Sequence, residues 1–130
     1  MRVIVCGGRD YPYRKTVMYW LDKLFAPVYG TGDEPYKNGT ALPRPDLVII
    51  QGGASGADSF ALDWCVVNWV HFETYEADWK THGKAAGPIR NQKMLDEGKP
   101  DMVLAFPGGR GTADMKARAR VAKIPVMEIY

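Results

Sequence analysis

The sequence predicts an α/β protein whose core is a doubly wound parallel sheet of about five strands, with helices on both faces. Short runs of β-branched and aliphatic residues alternate with longer stretches of helical periodicity, which indicates repeated β-α-β units. Three of the strand-like runs end in paired glycines, a residue type that lets the backbone turn tightly or approach another group closely. We expect the strand order 3-2-1-4-5, with right-handed crossovers between strands.

The strands and helices alternate strictly along the chain. The predicted strands are residues 2–6, 47–51, 70–75, 101–106 and 125–129. The first two are continuous apolar runs, as expected for strands covered on both faces. The predicted helices are residues 13–25, 57–68, 88–97 and 112–122, with a polar connection over 76–87. Pro88 fits the first position of its helix, and Gly98 fits just beyond the end of that helix.

The composition indicates one globular domain covering residues 1–130, with 46% hydrophobic and 25% charged residues. A net charge of +2 is too small to indicate a nucleic-acid surface, and no apolar run is long enough to cross a membrane. The chain enters its first strand at once, which leaves no room for a signal peptide, so we expect a cytoplasmic protein. Cys6 and Cys65 lack metal-ligand spacing, and we expect neither a metal nor a cofactor.

Residues 29–46 interrupt the alternation. They are rich in glycine, proline and other turn-forming residues and show no periodicity. We interpret them as a loop insertion, with a small hairpin around Asn38 and Gly39.

Glycine-rich loops follow the first, second and fourth strands, whose carboxyl ends lie side by side in the expected order. Each loop leads into a helix, and Thr112 is the predicted N-cap of the last one, with Asp114 in its first turn. A tight turn explains any one loop, but glycine pairs at all three favour a phosphate-bearing ligand bound by backbone N–H groups. The predicted ligand-binding residues are Gly7, Gly8, Arg9, Asp10, Gly52, Gly53, Ala54, Ser55, Gly56, Asp58, Pro107, Gly108, Gly109, Arg110, Gly111 and Thr112.

Several nucleotide-binding classes are disfavoured by what these loops lack. The GGASGAD loop has no Gly-Lys-Ser/Thr ending, which argues against a P-loop kinase or NTPase. No G-x-G-x-x-G follows the first strand, which argues against a dinucleotide oxidoreductase. Ser55 is not in a nucleophile elbow, and we expect it to donate to a phosphate or to cap its helix.

Five motifs together carry a family resemblance. They are GGRDY at 7–11, GGASGAD at 52–58, ADW at 77–79, GKAAGPIRNQKM at 83–94 and AFPGGRGTADM at 105–115. In this order they resemble the small YspA/YpsA-related domains of the SLOG superfamily, which are common in bacteria and their phages. The resemblance covers nearly all of the chain except the inserted loop. It implies a Rossmann-like fold and a nucleotide or nucleotide-derived ligand.

The same superfamily contains the Lonely Guy phosphoribohydrolases, whose PGGxGTxxE motif is similar to residues 107–115. The matching positions are Pro107, Gly108, Gly109, Gly111 and Thr112. Arg90 matches the arginine that accompanies the catalytic glutamate of that family, and Asn91 lies beside it. Met115 stands in the place of the glutamate, so the resemblance supplies only half of the catalytic pair. Asp114 is one residue away, and a helix turns about 100° per residue, so its side chain should point elsewhere.

Two main functions remain open. One is a module that binds or senses a nucleotide-like small molecule, with Arg9, Arg90, Asn91 and Arg110 among its ligand-binding residues. The alternative is a nucleotide N-glycosidase, whose candidate catalytic residues are Asp10, Asp58, Asp114 and Arg90.

A third, weaker alternative is single-stranded DNA binding like that of DprA. The near-neutral charge argues against it, and we do not expect a nucleic-acid partner. Related proteins often form dimers, so a homodimer stays open. Trp20, Trp64 and Trp69 are its candidate interface residues, although their positions favour burial in the core.

Overall fold

The computed structural model describes residues 1–29, 36–37, 40–41 and 44–130, and the side chains of residues 1–25 and 46–130. The strands are β1 (Arg2–Cys6), β2 (Tyr36–Lys37), β3 (Thr40–Ala41), β4 (Arg44–Gln51), β5 (Val70–Thr74), β6 (Met102–Ala105) and β7 (Val126–Glu128). The helices are α1 (Arg14–Tyr29), α2 (Ala57–Asn68), α3 (Trp79–His82), α4 (Ala86–Gly98) and α5 (Arg110–Val121), with a 3-10 turn at Gly83–Ala85.

The main sheet confirms the predicted α/β fold and its strand order. It has five strands in the order β5-β4-β1-β6-β7, and every neighbouring pair is parallel. Counted along the main sheet alone, this is the expected order 3-2-1-4-5. The central strand β1 pairs with β4 through Ile4 and Ile50 and with β6 through Ile4 and Val103. The carboxyl ends of β4, β1 and β6 are therefore neighbours at one edge of the sheet.

A separate antiparallel pair flanks the predicted hairpin turn. Tyr36 is paired with Ala41 and Lys37 with Thr40. The turn itself, at Asn38 and Gly39, lies outside the described residues, as does most of the predicted insertion at 29–46.

The core lies on both faces of the sheet because successive β1 side chains point to opposite sides. Val3 and Val5 pack toward α1 and α2, where the apolar stripe of α1 and the Trp64 ring are buried. Ile4 and Cys6 pack toward α4 and α5. Complete burial of one such aliphatic side chain contributes about 1.5–3 kcal/mol. Both layers together hold the three loop-bearing strands rigidly.

The three tryptophans considered for an interface lie in different environments. Trp64 is buried, Trp20 is partly buried against the same cluster, and Trp69 is 58% exposed. Trp69 ends α2 with a left-handed backbone (φ 55°), and its N–H donates to the carbonyl of Cys65.

No helix in the described part of the chain has the length and apolar character needed to cross a membrane.

Two helices begin earlier than predicted. The helix α4 begins at Ala86, so Pro88 lies inside its first turn, where the missing N–H removes no intrahelical bond. The helix α5 begins at Arg110 with Gly109 as its N-cap, which corrects the predicted N-cap role of Thr112. The Thr112 side chain is buried. Asp114 consequently lies beyond the first turn, and the free helix start is two residues closer to the glycines.

The predicted polar connection at 76–87 is also more ordered than the sequence suggested. It contains α3 and the 3-10 turn, and the Asp78 carboxylate accepts from the N–H of Thr81 at 3.1 Å to cap α3. Because α3 has four residues, it has no periodicity that sequence could reveal. It places Trp79 beside the loop edge of the sheet.

Candidate functional site

The structure brings the three glycine loops into contact with one another. The Gly8 N–H donates to the Pro107 carbonyl at 2.9 Å, which joins the first loop to the third. The Ser55 hydroxyl donates to the Arg9 carbonyl at 3.0 Å, which joins the second loop to the first. Ser55 does not cap its helix, since α2 has no side-chain cap, and its contact with a phosphate stays a prediction. One continuous backbone surface results.

Several of the glycines are required by this loop packing, which corrects the view that their pairing alone indicates a ligand. A Cβ atom at Gly7 would lie 2.6 Å from the Ala57 Cβ, and one at Gly108 would lie 2.6 Å from the Gly8 nitrogen. Gly56 has a φ of 75° and is pressed against the first loop's backbone. These positions need glycine for close approach whether or not a ligand binds.

Gly109 and Gly111 differ from the other loop glycines. A Cβ atom at either position would meet no described atom within 4 Å, and neither residue has a positive φ. Steric contact with the described atoms therefore does not require glycine at either position, although glycine is also suited to the N-cap role of Gly109. Open space beside bare backbone is what an approaching ligand atom requires.

In and beside the second loop, four backbone N–H groups have acceptors within the protein. The N–H groups of Gly52 and Ala54 donate to Asp58 Oδ2 at 3.0 and 3.3 Å. The N–H of Gly53 donates to Gln51 Oε1 at 2.6 Å, and the N–H of Ala57, at the start of α2, faces the Gly8 carbonyl at 3.5 Å. These four donors are satisfied within the protein. These four N–H groups are therefore not free for a phosphate, and phosphate binding by the rest of this loop stays a prediction.

Asp58 is buried and holds this loop in place through its hydrogen bonds. Burial raises the pKa of its carboxyl to about 6, while the N–H groups of Ala54 and Gly52 and the charges of Arg90 and Arg9 act in the opposite direction. Because its Oδ2 already accepts two backbone hydrogen bonds, Asp58 is poorly placed to accept from a ribose hydroxyl.

The third loop leaves backbone donors open. The first helical bond of α5 runs from the Ala113 N–H to the Gly109 carbonyl at 3.0 Å. The preceding N–H groups, those of Arg110, Gly111 and Thr112, have no intrahelical partner. The N-cap Gly109 supplies no side chain to bind them. They border a cleft, and the exposed Arg110 side chain lines the same space.

The cleft has a volume of about 910 Å³ and lies above the first and third loops. Its walls include residues that sequence reasoning missed, namely Tyr11, Trp79, Lys84, Gly87 and Pro88. The Arg9 guanidinium lies 4.9 Å from the centre of the Trp79 ring, a cation–π geometry. Trp79 and Lys84 fall within the ADW and GKAAG segments of the resemblance, but nothing in their local pattern indicated that they line a site.

Arg90 lies where the two sides of the site meet. Its Nη1 donates to the carbonyls of Gly52 at 2.8 Å and Tyr75 at 3.4 Å, and its Nε donates to Asn91 Oδ1 at 3.0 Å. Burial lowers the pKa of its guanidinium, and Asp58 acts in the opposite direction. Its Nη2 has no hydrogen bond to a described residue. Arg90 thus holds the second loop and still faces the cleft.

Asn91 supports the third loop from below and is itself buried. Its amide donates to the Gly111 carbonyl at 3.1 Å and to Asp114 Oδ2 at 3.0 Å. The same Asp114 oxygen accepts from Arg118 Nε at 2.9 Å. Since both its carbonyl and its amide are engaged, Asn91 positions the loop rather than contacting a ligand directly. Asp114 lines the cleft but is held by two partners.

The two remaining candidate positions, Asp10 and Met115, differ in their exposure to the cleft. Asp10 is exposed and lines the cleft. Met115, at the position of the glutamate in the Lonely Guy motif, is fully buried in the core layer with Ile4 and Met94. Any side chain at that position points away from the cleft as long as α5 keeps this rotation.

A smaller hollow of about 340 Å³ extends the cleft toward the second loop. It shares Arg9, Trp79 and Arg90 with the main cleft and adds Glu76 on its far side. The paired Arg9 and Trp79 side chains therefore stand between two connected spaces.

A Rossmann-like α/β domain with a glycine-lined cleft at the carboxyl ends of its central strands defines the class of this protein. The chain is 37% identical to the Gene 61 protein of Mycobacterium phage D29, over 97% of this chain and 94% of that protein. A family model described as the YspA, cpYpsA-related SLOG family matches residues 40–82. The chain belongs to this family. No solved structure matches it.

Proposed function

We propose that this domain binds a nucleotide or nucleotide-derived ligand and holds its phosphate at the start of α5. The proposal rests on two features of the third loop. The N–H groups of residues 110–112 are open, and no steric contact requires the glycines at 109 and 111. Open hydrogen-bond donors beside a cleft support a binding or sensing role.

The chemistry of the helix start suits a phosphate. Unpaired N–H groups and the positive end of the helix dipole attract anions within the first turn. Gly109 and Gly111 let oxygen atoms approach the backbone without meeting a Cβ atom. Arg110 adds a planar, permanently charged group that donates two parallel hydrogen bonds to phosphate oxygens.

The aromatic wall favours a nucleotide over a simple phosphate. The Trp79 ring is 47% exposed and lines both the cleft and the smaller hollow. Stacking of a base on an aromatic side chain contributes about 1–3 kcal/mol. The Arg9 guanidinium lies over the Trp79 ring, and the half-exposed ring is accessible to a base as well.

The carboxylates favour binding over N-glycoside hydrolysis. Hydrolysis needs a carboxylate near the sugar carbon to stabilise positive charge or activate water. Asp58 is buried in the second loop, and Asp114 is held by Asn91 and Arg118. The enzymatic alternative therefore depends on Asp10, which is exposed in the cleft.

Calorimetric titration with AMP, GMP, CMP and UMP tests the proposal. Wild type should bind at least one of these nucleotides, and Arg110→Gln should weaken binding roughly ten- to a hundredfold, the range for a charge-assisted hydrogen bond. Arg120→Gln is the matched control because it removes the same charge from the exposed far end of the same helix, where Arg120 pairs with Glu128. Absence of binding by all four nucleotides and by ADP, phosphate and pyrophosphate, or full affinity in Arg110→Gln, would overturn the proposal.

A further inference from the structure

The proposed phosphate contact uses Arg110 and leaves three other cationic side chains of the cleft without a ligand group to bind. They are Arg9, in the loop after β1, Lys84, in the 3-10 turn, and Arg90, on α4. These three side chains come from separate segments of the chain, and the fold brings them to the same cleft. Lys84 forms no ion pair with any residue that the structure describes.

We propose that the cleft takes a ligand with two linked phosphate groups, of the nucleoside diphosphate class, rather than a nucleoside monophosphate. The first phosphate lies at the start of α5 beside Arg110. The second lies between Arg9, Lys84 and Arg90. This inference rests on the proposed function and specifies the class of ligand for the same site.

The charges around the cleft favour an anionic ligand. Among the described residues of the cleft, the adjoining hollow and their neighbours Asp58 and Arg118, five cations face four carboxylates. The cations are Arg9, Lys84, Arg90, Arg110 and Arg118, and the carboxylates are Asp10, Asp58, Glu76 and Asp114. Arg118 pairs with Asp114, and Asp58 binds backbone N–H groups of the second loop. The cations that remain for a ligand are therefore Arg9, Lys84, Arg90 and Arg110, which come from different elements of the chain.

The free hydrogen-bond donors of the cleft come from two sets of elements, which also fits two phosphates. One group is formed by the N–H groups of residues 110–112 with the Arg110 side chain. The other is formed by Lys84 and Arg90, whose Nη2 is unbonded to any described residue, with Arg9 next to them across the Trp79 ring. Arg9 and Arg90 repel each other, and this repulsion is relieved when an anion lies between them.

The space available is large enough for such a ligand. Sites for drug-sized molecules measure about 300–1,000 Å³, and the cleft lies at the upper end of that range. The smaller hollow continues it past Arg9 and Trp79. A base and sugar therefore fit beside two phosphates without displacing the loops.

Two pairs of probes test the inference by calorimetry in a low-salt buffer containing EDTA. Inorganic phosphate and pyrophosphate differ in charge and in the second phosphate, and they involve no base. AMP and ADP make the same comparison on a nucleotide. We expect the diphosphate to bind about tenfold or more tightly in each pair, as an added charge-assisted contact implies.

Lys84→Gln supplies the structural test. It should narrow the preference for ADP over AMP by at least about threefold, because the second phosphate loses one cation. Lys93→Gln is the matched control, since Lys93 carries the same charge on the exposed face of α4, next to Glu97 and outside the cleft. It should leave the preference at its wild-type value.

The outcomes separate this inference from the proposed function. Binding of AMP with no preference for ADP, and of phosphate with no preference for pyrophosphate, would overturn the diphosphate class and leave the phosphate site intact. An undiminished preference in the Arg9→Gln, Lys84→Gln double variant would overturn the second phosphate position. If neither nucleotide nor either inorganic probe binds, the proposed function fails and this inference fails with it.

Discussion

Asp58→Asn should change how the stability of the protein depends on pH. The Asp58 carboxyl is 6% exposed, and its pKa in the folded protein is about 6. An unfolded chain has an aspartate pKa of about 3.9. Between these values the folded state binds more protons than the unfolded state, so the free energy of unfolding falls as pH rises from about 4 to 6 and then levels off.

The size of this effect follows from the difference between the two pKa values. Each pKa unit corresponds to about 1.4 kcal/mol, so the free energy of unfolding should fall by about 3 kcal/mol across this window on account of Asp58. Asparagine does not titrate, and its side-chain oxygen still accepts from the N–H groups of Gly52 and Ala54. The Asp58→Asn variant should therefore gain stability relative to wild type as pH rises.

Urea denaturation followed by tryptophan fluorescence at pH 4, 5, 6 and 7 measures this difference. Asp96→Asn is the control, because it removes an exposed carboxyl from α4 that accepts a bond from Gln92. Its stability should follow that of wild type across the series. If the free energies of unfolding of wild type and Asp58→Asn differed by the same amount at every pH, burial would not raise the pKa of Asp58.

Four further substitutions separate structural residues from ligand-binding residues. Gly109→Val should leave the stability within about 1 kcal/mol of wild type but weaken AMP binding at least tenfold, whereas Gly108→Ala should lose about 1–3 kcal/mol of stability because its Cβ meets the Gly8 nitrogen. Equal melting curves for these two variants would contradict the packing assignment. Met115→Glu should cost about 3–5 kcal/mol in urea denaturation, because it buries an unpaired carboxylate, and a stable variant that hydrolyses AMP would contradict this. Arg90→Ala should lower both stability and AMP affinity, and unchanged stability would show that its bonds to the second loop are dispensable.

The strands and their order were predictable because buried parallel strands leave a strong apolar signal in the sequence. The meeting of the three loops follows from that order and was also predictable. The different roles of the loops were not. Sequence presents Gly52 and Gly109 as equivalent, but the inward turn of Asp58 closes one loop, and a turn of that kind depends on backbone angles that composition does not specify.

The boundary of α5 and the aromatic wall show two further limits. Thr112 is a better N-cap residue than glycine, so a sequence argument places the helix start there, yet tertiary packing buries the Thr112 side chain and moves the start to Arg110. Trp79 lies on a four-residue helix that is held by the Asp78 cap, and such a short element has no periodicity to detect. The first feature depends on packing between distant parts of the chain, and the second on an element too short to leave a pattern.

Amide chemical shifts of the ¹⁵N-labelled protein during titration with AMP give the most direct test of the phosphate site. We expect large shifts for the amides of residues 110–112, whose N–H groups are open, and small shifts for those of Gly52, Gly53 and Ala54, which already donate to Asp58 and Gln51. Inorganic phosphate at higher concentration should move the same group of signals. Large shifts at residues 52–54 with unmoved signals at residues 110–112 would show that the phosphate does not bind at the start of α5.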